Sequence, residues 1–330
     1  MAHAAGRLAR VVELPKSDSS TQAWLEFASD AEASEEWLTA RDAFAGAVSR
    51  GAARSFAIRG AQAALQGGEP ASTLALLAIA GPSAADSATG AVTLLKVRAL
   101  GLLGRPAEAV QVVEAAGPKL DREAKNQAMR AIAWGWVRVG DLAKATAALA
   151  EAGGDEEERA TAWIALYQGD LKRARAGLRR TDETTGDAVL AMSFLSRTRV
   201  DSSTLAGQAF LSLAKGDSAA AAKQFEQLSR EVTDAAPLAL SVAARLYAAA
   251  HDTTRSVGIW QAIIERHEDA PEAAEAELTW ARVLRGRGDA TAATAHLEHL
   301  ILTWPQSALV PQARRELELA RRQPNQGPDA

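Results

Sequence analysis

The sequence contains no cysteine. Disulfides, thiolate nucleophiles and cysteine-ligated zinc are therefore excluded. The compartment is not decided by this, since a chain without thiols suits either redox setting. Aromatic residues make up only 5% of the 330 residues. An excess of basic charge is also missing. The net charge is −4, which argues against general nucleic-acid binding, a task that needs a basic surface to displace counterions. No window approaches the roughly 18 consecutive apolar residues that span a bilayer. The opening segment, Met1 to Arg10, has no apolar stretch of the signal-peptide kind, so the chain as written reads as soluble and cytoplasmic. Ala2-His3-Ala4 does have the small-x-small form of a signal-peptidase site. A periplasmic chain whose leader has been removed is therefore the alternative.

Motifs that carry chemistry are equally scarce. There is no phosphate-cradling glycine loop, no His-Glu-x-x-His and no nucleophile elbow. His296-x-x-His299 can put two imidazoles on one helix face, with His267 and Glu298 nearby in sequence. A zinc site also wants a third ligand and a second shell, and the sequence identifies neither, so the pair reads as structural. Arg287-Gly288-Asp289 spells an adhesion tripeptide but coincides with a turn that recurs along the chain. Glu156-Glu157-Glu158 falls at a helix start, where negative charge complements the helix dipole. No catalytic residue, cofactor or metal is expected.

What is present is 48% hydrophobic content, much of it alanine. Small helix-favouring side chains suit helices that approach closely. A turn recurs at Gly68-Glu69-Pro70, Gly104-Arg105-Pro106, Gly140-Asp141-Leu142, Gly169-Asp170-Leu171, Gly216-Asp217-Ser218, His251-Asp252-Thr253 and Gly288-Asp289-Ala290. Apolar residues on either side are three, four and seven apart, as a helix face requires. Met129, Ile132, Ala133 and Trp136 precede one turn, and Ala145, Leu149 and Ala152 follow it. The glycine can end a helix in the left-handed conformation and the next residue can cap a new one. The unit predicted is helix, tight turn, antiparallel helix.

Most of these turns are spaced close to the roughly 34-residue tetratricopeptide period. The first unit resembles that family's pattern through Trp24, Phe27, Ala28, Ala31, Trp37, Ala40, Phe44 and Ala47. A later unit does so through Leu240, Ala243, Ala244, Tyr247, Ser256, Trp260 and Ile263, and the last through Ala281, Leu284, Gly288, Ala293, Leu297, Leu300 and Pro305. The resemblance covers roughly residues 20–320 and implies an all-α solenoid of antiparallel helix pairs, a superhelix of about eight pairs with a C-terminal capping helix. A generic helical bundle or another α-solenoid is the alternative. The Trp304-Pro305 segment also resembles repeat ends of bacterial envelope-assembly proteins.

The expected organisation is a flexible segment over 1–18, repeats over 19–181, an irregular insertion with a helix near Ala188–Ser196 over 182–204, repeats and a capping helix over 205–321, and a disordered tail over 322–330. The capping helix is expected from Ser307 to Arg321, with Val310, Ala313, Leu317 and Ala320 on one side. In tetratricopeptide stacks the first helix of each pair lines a concave groove. That register puts Arg98, Arg130, Trp134, Arg138, Arg159, Trp163, Arg245, Arg282 and Arg285 in the groove. Arginine offers bidentate bonds to carboxylates and indole offers rigid contact area, so the groove suits an acidic or aromatic-containing peptide. The competing reading pairs these arginines with glutamates of neighbouring repeats. The Lys and Asn of the family's carboxylate clamp are missing at the matching positions. The function implied is a non-enzymatic scaffold for a protein or peptide partner of unknown identity. The alternative is a subunit built permanently into a larger complex.

Overall fold

Asp141 makes two bonds that fix the direction of the chain. Its backbone N–H reaches back to the Trp136 carbonyl at 3.0 Å and closes one helix. Its carboxylate accepts from the Lys144 N–H at 3.0 Å and opens the next. Gly140 between them takes φ +88°, a left-handed conformation that costs glycine nothing. Asp170, Asp217, Asp252 and Asp289 repeat both bonds, each taking a backbone N–H three residues on and donating to a carbonyl five residues back.

The computed structural model describes residues 20–85, 89–153, 156–180 and 185–322. The expected flexible start over 1–18 and the tail from 323 onward lie outside them. The chain divides into two compact units between Glu157 and Glu158.

The first unit contains α1 (Thr21–Ala33), α2 (Trp37–Ser49), α3 (Phe56–Gln66), α4 (Pro70–Ala85), α5 (Thr89–Leu102), α6 (Pro106–Ala116), α7 (Arg122–Val139) and α8 (Leu142–Ala152). Consecutive helices pair as α1–α2, α3–α4, α5–α6 and α7–α8, and the first helices α5 and α7 pack side by side. Ala28, Ala31, Ala40 and Phe44 are buried between α1 and α2, as the repeat pattern requires. The closest approach is where α5 meets α7. A Cβ on Gly101 would lie 2.7 Å from the Ala131 carbonyl oxygen, and one on Gly135 3.0 Å from the Gly101 Cα. Any larger side chain there would force the two helices apart. α4 is interrupted at Gly81, whose φ of +70° and ψ of 173° break the helical run.

The second unit opens within α9 (Glu156–Tyr167). It continues through α10 (Leu171–Leu178), α11 (Gly186–Arg197), α12 (Thr204–Lys215), α13 (Ser218–Glu231), α14 (Ala236–Ala249), α15 (Thr253–Arg266), α16 (Pro271–Gly286), α17 (Ala290–Thr303) and α18 (Val310–Arg322). α12–α13, α14–α15 and α16–α17 are pairs, and α18 closes the end against α17. Val310, Ala313, Leu317 and Ala320 of α18 are buried on Leu297 and Leu300. α18 starts three residues later than Ser307, with Pro311 in its first turn, where a missing N–H costs no intrahelical bond. Each unit is thus an all-α solenoid segment of tetratricopeptide-like helix pairs. No helix among the described residues is long and apolar enough to cross a membrane.

α11 is an extra helix between α10, against which it packs, and the α12–α13 pair. Phe194 of α11, Phe210 of α12 and Phe225 of α13 pack edge to face at 5.5 and 5.3 Å and bind it into the core. Arg175 of α10 holds the segment after α11 by its backbone. It donates to the carbonyls of Leu195 at 2.8 Å, Thr198 at 3.0 Å and Val200 at 3.1 Å. Ser203 N–H then reaches the Gly169 carbonyl at 2.9 Å, and Lys172 N–H reaches that of Asp201 at 3.0 Å.

His251 occupies the turn position that glycine fills elsewhere, with φ +62°. A left-handed non-glycine residue costs about 1–2 kcal/mol, partly offset by the greater unfolded-state freedom of glycine. His251→Gly is expected to raise stability by about 1 kcal/mol, read as a higher urea midpoint at unchanged slope. The Asp141 carboxyl is held below its ordinary range, first by the Lys144 backbone N–H and then by the Lys144 side chain. A depressed carboxyl stabilises the fold above its unfolded-state value, and that contribution is lost as pH falls through the folded value. Asp141→Asn keeps an acceptor without the titration. The variant is expected to show a shallower loss of thermal stability on acidification than the parent, measured by circular dichroism.

Candidate partner-binding surface

α7 carries Arg130, Trp134 and Arg138 at successive steps of four residues, which puts them on one face. α5 carries Arg98, with Leu102 four residues on. The two faces are joined by a polar relay. Arg98 donates to the Gln127 side chain at 3.3 Å, Gln127 donates to Glu123 at 2.9 Å, and Arg130 reaches the same Glu123 oxygen at 3.4 Å. Because Arg98 meets Gln127, its face and the Trp134 face form one continuous surface. Arg130 meets that carboxylate directly, and Arg98 joins it only through Gln127.

Trp134 is 39% exposed and Leu102 42%. Arg138 is exposed in the last turn of α7 and pairs with nothing among the described residues. Arg130 and Arg138 therefore flank Trp134 by one helical turn on either side, and Arg98 meets the same helix at Gln127. Leu102, Gln127 and Glu123 belong to the same surface, and sequence reading had not included them. The four-residue step from Arg98 to Leu102 was the available signal for Leu102.

The second unit treats its arginines differently. Arg245 of α14 stands 3.7 Å from Glu275 of α16, which also accepts from Ser241. Arg282 and Arg285 of α16 both converge on Glu316 of α18, at 2.9 and 3.2 Å. Each of these cations is met by a carboxylate from the following repeat or from the capping helix. Arg159 is exposed on α9. Trp163 is buried and stacks on Tyr167 at 5.9 Å between ring centres. It is a core residue rather than a surface one, because Ala160 and the whole run Ala162 to Tyr167 of α9 are buried and leave no polar side for it to share.

A cleft of about 480 Å³ lies between α13 and α15, with Glu226, Arg230, Arg255 and Arg266 on its walls. Glu226 accepts from the Tyr247 hydroxyl at 3.0 Å and pairs with Arg230 and Arg255. Burial, and then the Glu226 carboxylate, push the Tyr247 phenol upward, so it remains a protonated donor rather than a base.

No protein-family model matches the chain, and no curated protein matches it. Among solved structures, it is similar to a tetratricopeptide repeat protein from Parabacteroides merdae ATCC 43184. The identity is 11%, over 92% of this chain and 100% of that one, at a TM-score of 0.30. It is also similar to the P58(IPK) TPR domain, with 15% identity over 92% of this chain and 97% of that one, again at a TM-score of 0.30. Superpositions this loose leave the fold to stand on the helix pairs and turns themselves.

Trp134 is the most exposed of the eight tryptophans and sits between cations. Iodide should therefore quench the tryptophan fluorescence more than caesium does, through its higher local concentration near positive charge. Trp134→Phe is expected to remove that excess, measured as the difference between the two Stern–Volmer slopes.

Proposed function

We propose that the chain is a non-enzymatic scaffold that holds a protein or peptide partner on the α5–α7 face. The observation that carries this reading is the contrast between the two sets of arginines. Arg245, Arg282 and Arg285 face glutamates of the following repeat or cap, whereas Arg138 is unpaired beside an exposed Trp134. An exposed indole offers rigid contact area at small ordering cost, and flanking guanidinium groups bind carboxylates in bidentate fashion. The face fits a segment that combines an acidic side chain with an apolar or aromatic one. Helices locked by packing and caps already hold these groups in place, which lowers the ordering cost of binding.

A second reading, a subunit built into a larger assembly, draws on exposed apolar residues elsewhere. Leu302 of α17 is 78% exposed and Leu319 of α18 is 47% exposed. A peptide library selected on the intact chain separates the two readings. Selection of acidic, aromatic-containing peptides is expected. Trp134→Ala should weaken the selected peptide about 30-fold, a loss of about 2 kcal/mol, and Arg130→Glu/Arg138→Glu should abolish binding, both read by fluorescence anisotropy. Undiminished binding by both variants would refute the α5–α7 face. An assembly lost on Leu302→Asp but not on these changes would favour the built-in subunit.

A further inference from the structure

Glu277 of α16 is almost fully buried, with a side-chain exposure of 2%. Both its oxygens are engaged by histidines of α17. One lies 2.5 Å from His296 Nδ1 and the other 2.5 Å from His299 Nδ1. A buried carboxylate oxygen at that distance requires a donor, because a nitrogen lone pair facing it would be repelled. Both Nδ1 atoms therefore carry hydrogen. In a neutral imidazole this leaves the lone pair on Nε2, so one carboxylate sets the tautomer of two rings at once.

The rings are also held in place. His296 packs on Trp280 at 4.0 Å between ring centres, and His299 meets the edge of Trp304 at 5.5 Å. Trp304 is itself tethered by its indole N–H to the Glu268 carbonyl at 3.1 Å. Both histidines still reach solvent, with side-chain exposures of 23% and 47%. They stand three residues apart on α17, hence on one face. Among the described residues nothing bonds to either Nε2.

We propose that His296 and His299 form a two-imidazole site for a divalent transition metal such as zinc, oriented by Glu277. Metal-binding histidines characteristically donate their other ring N–H to a carboxylate, which fixes the ring and raises its basicity. Here that carboxylate comes from a neighbouring helix, 19 residues before His296, where sequence spacing does not reveal it. Among the described residues no third His, Asp, Cys or Glu joins the pair. The remaining coordination positions belong to water, and the site is an open, exchangeable one rather than a closed structural zinc. It lies on α16–α17 of the second unit and does not depend on the reading of the α5–α7 face.

Zinc chloride titrated into the full-length chain, followed by calorimetry and by long-range ¹H–¹⁵N spectra of the imidazoles, tests this. The spectra of the metal-free protein should show both rings as Nδ1–H tautomers, and zinc should shift both Nε2 signals together. His296→Gln/His299→Gln should remove that binding event. Glu277→Gln supplies one acceptor and one donor in place of two acceptors, so it frees only one Nε2. It should weaken zinc about 10–100-fold. Absence of zinc-dependent shifts at either ring in the parent protein would overturn the proposal without recourse to a variant. Zinc affinity unchanged in Glu277→Gln, with a native circular dichroism spectrum, would overturn the orienting role of the carboxylate.

Discussion

The architecture depends on a turn in which a single aspartate both ends one helix and begins the next. Asp141, Asp170, Asp217, Asp252 and Asp289 each close the preceding helix through the backbone N–H and cap the following one through the carboxylate. Both bonds belong to one residue, so the angle between the paired helices is set locally. A side-chain cap contributes about 1 kcal/mol, and the bond to the earlier carbonyl satisfies a group that the helix end would otherwise leave open. The pairs α1–α2, α3–α4 and α5–α6 keep the backbone bond alone, through Glu36, Glu69 and Arg105, and the first helices of neighbouring pairs meet on the same side. Alanine and glycine then become necessary, as at the Gly101–Gly135 crossing, because there is no room for more.

Much of this was legible beforehand because its causes are local. The turns, the apolar spacing around them, the helix near Ala188–Ser196 and the buried face of the capping helix all follow from residues a few positions apart. The α7 face was legible for the same reason, since Arg130, Trp134 and Arg138 are spaced at four. What escaped sequence reading depends on offsets between helices of different repeats. Glu275, Glu316 and Glu277 find their partners across such an offset, and no spacing rule on one helix announces them. Trp163 escaped for another reason. Much of α9 is buried, so its apolar pattern has no phase from which to tell inside from outside.

Arginines on the first helices of the repeats meet two different surroundings. Exposed ion pairs contribute between zero and about 1 kcal/mol, so Arg245 adds little to stability through Glu275, while Arg282 and Arg285 meet a Glu316 that is only 14% exposed. Their pairing discharges a surface that would otherwise attract anions. On α7 the Glu123 carboxylate meets Arg130, while Arg138, one turn from the exposed Trp134 indole, has no carboxylate partner among the described residues. The difference lies in where the acidic residues fall, not in the repeat framework, which is the same in both units.

Arg175 grips the segment after α11 by three carbonyl oxygens, with the Asp201 carboxylate 3.7 Å away. Carbonyls are the same whatever side chains accompany them. Exposed positions there, such as Arg199 and Val200, are therefore free to drift in sequence without loosening the junction, while Arg175 itself is not. Substitutions fixed over evolutionary time should accumulate on the held segment and spare the residue that holds it. The site most tolerant of sequence change would then lie directly against one of the least tolerant.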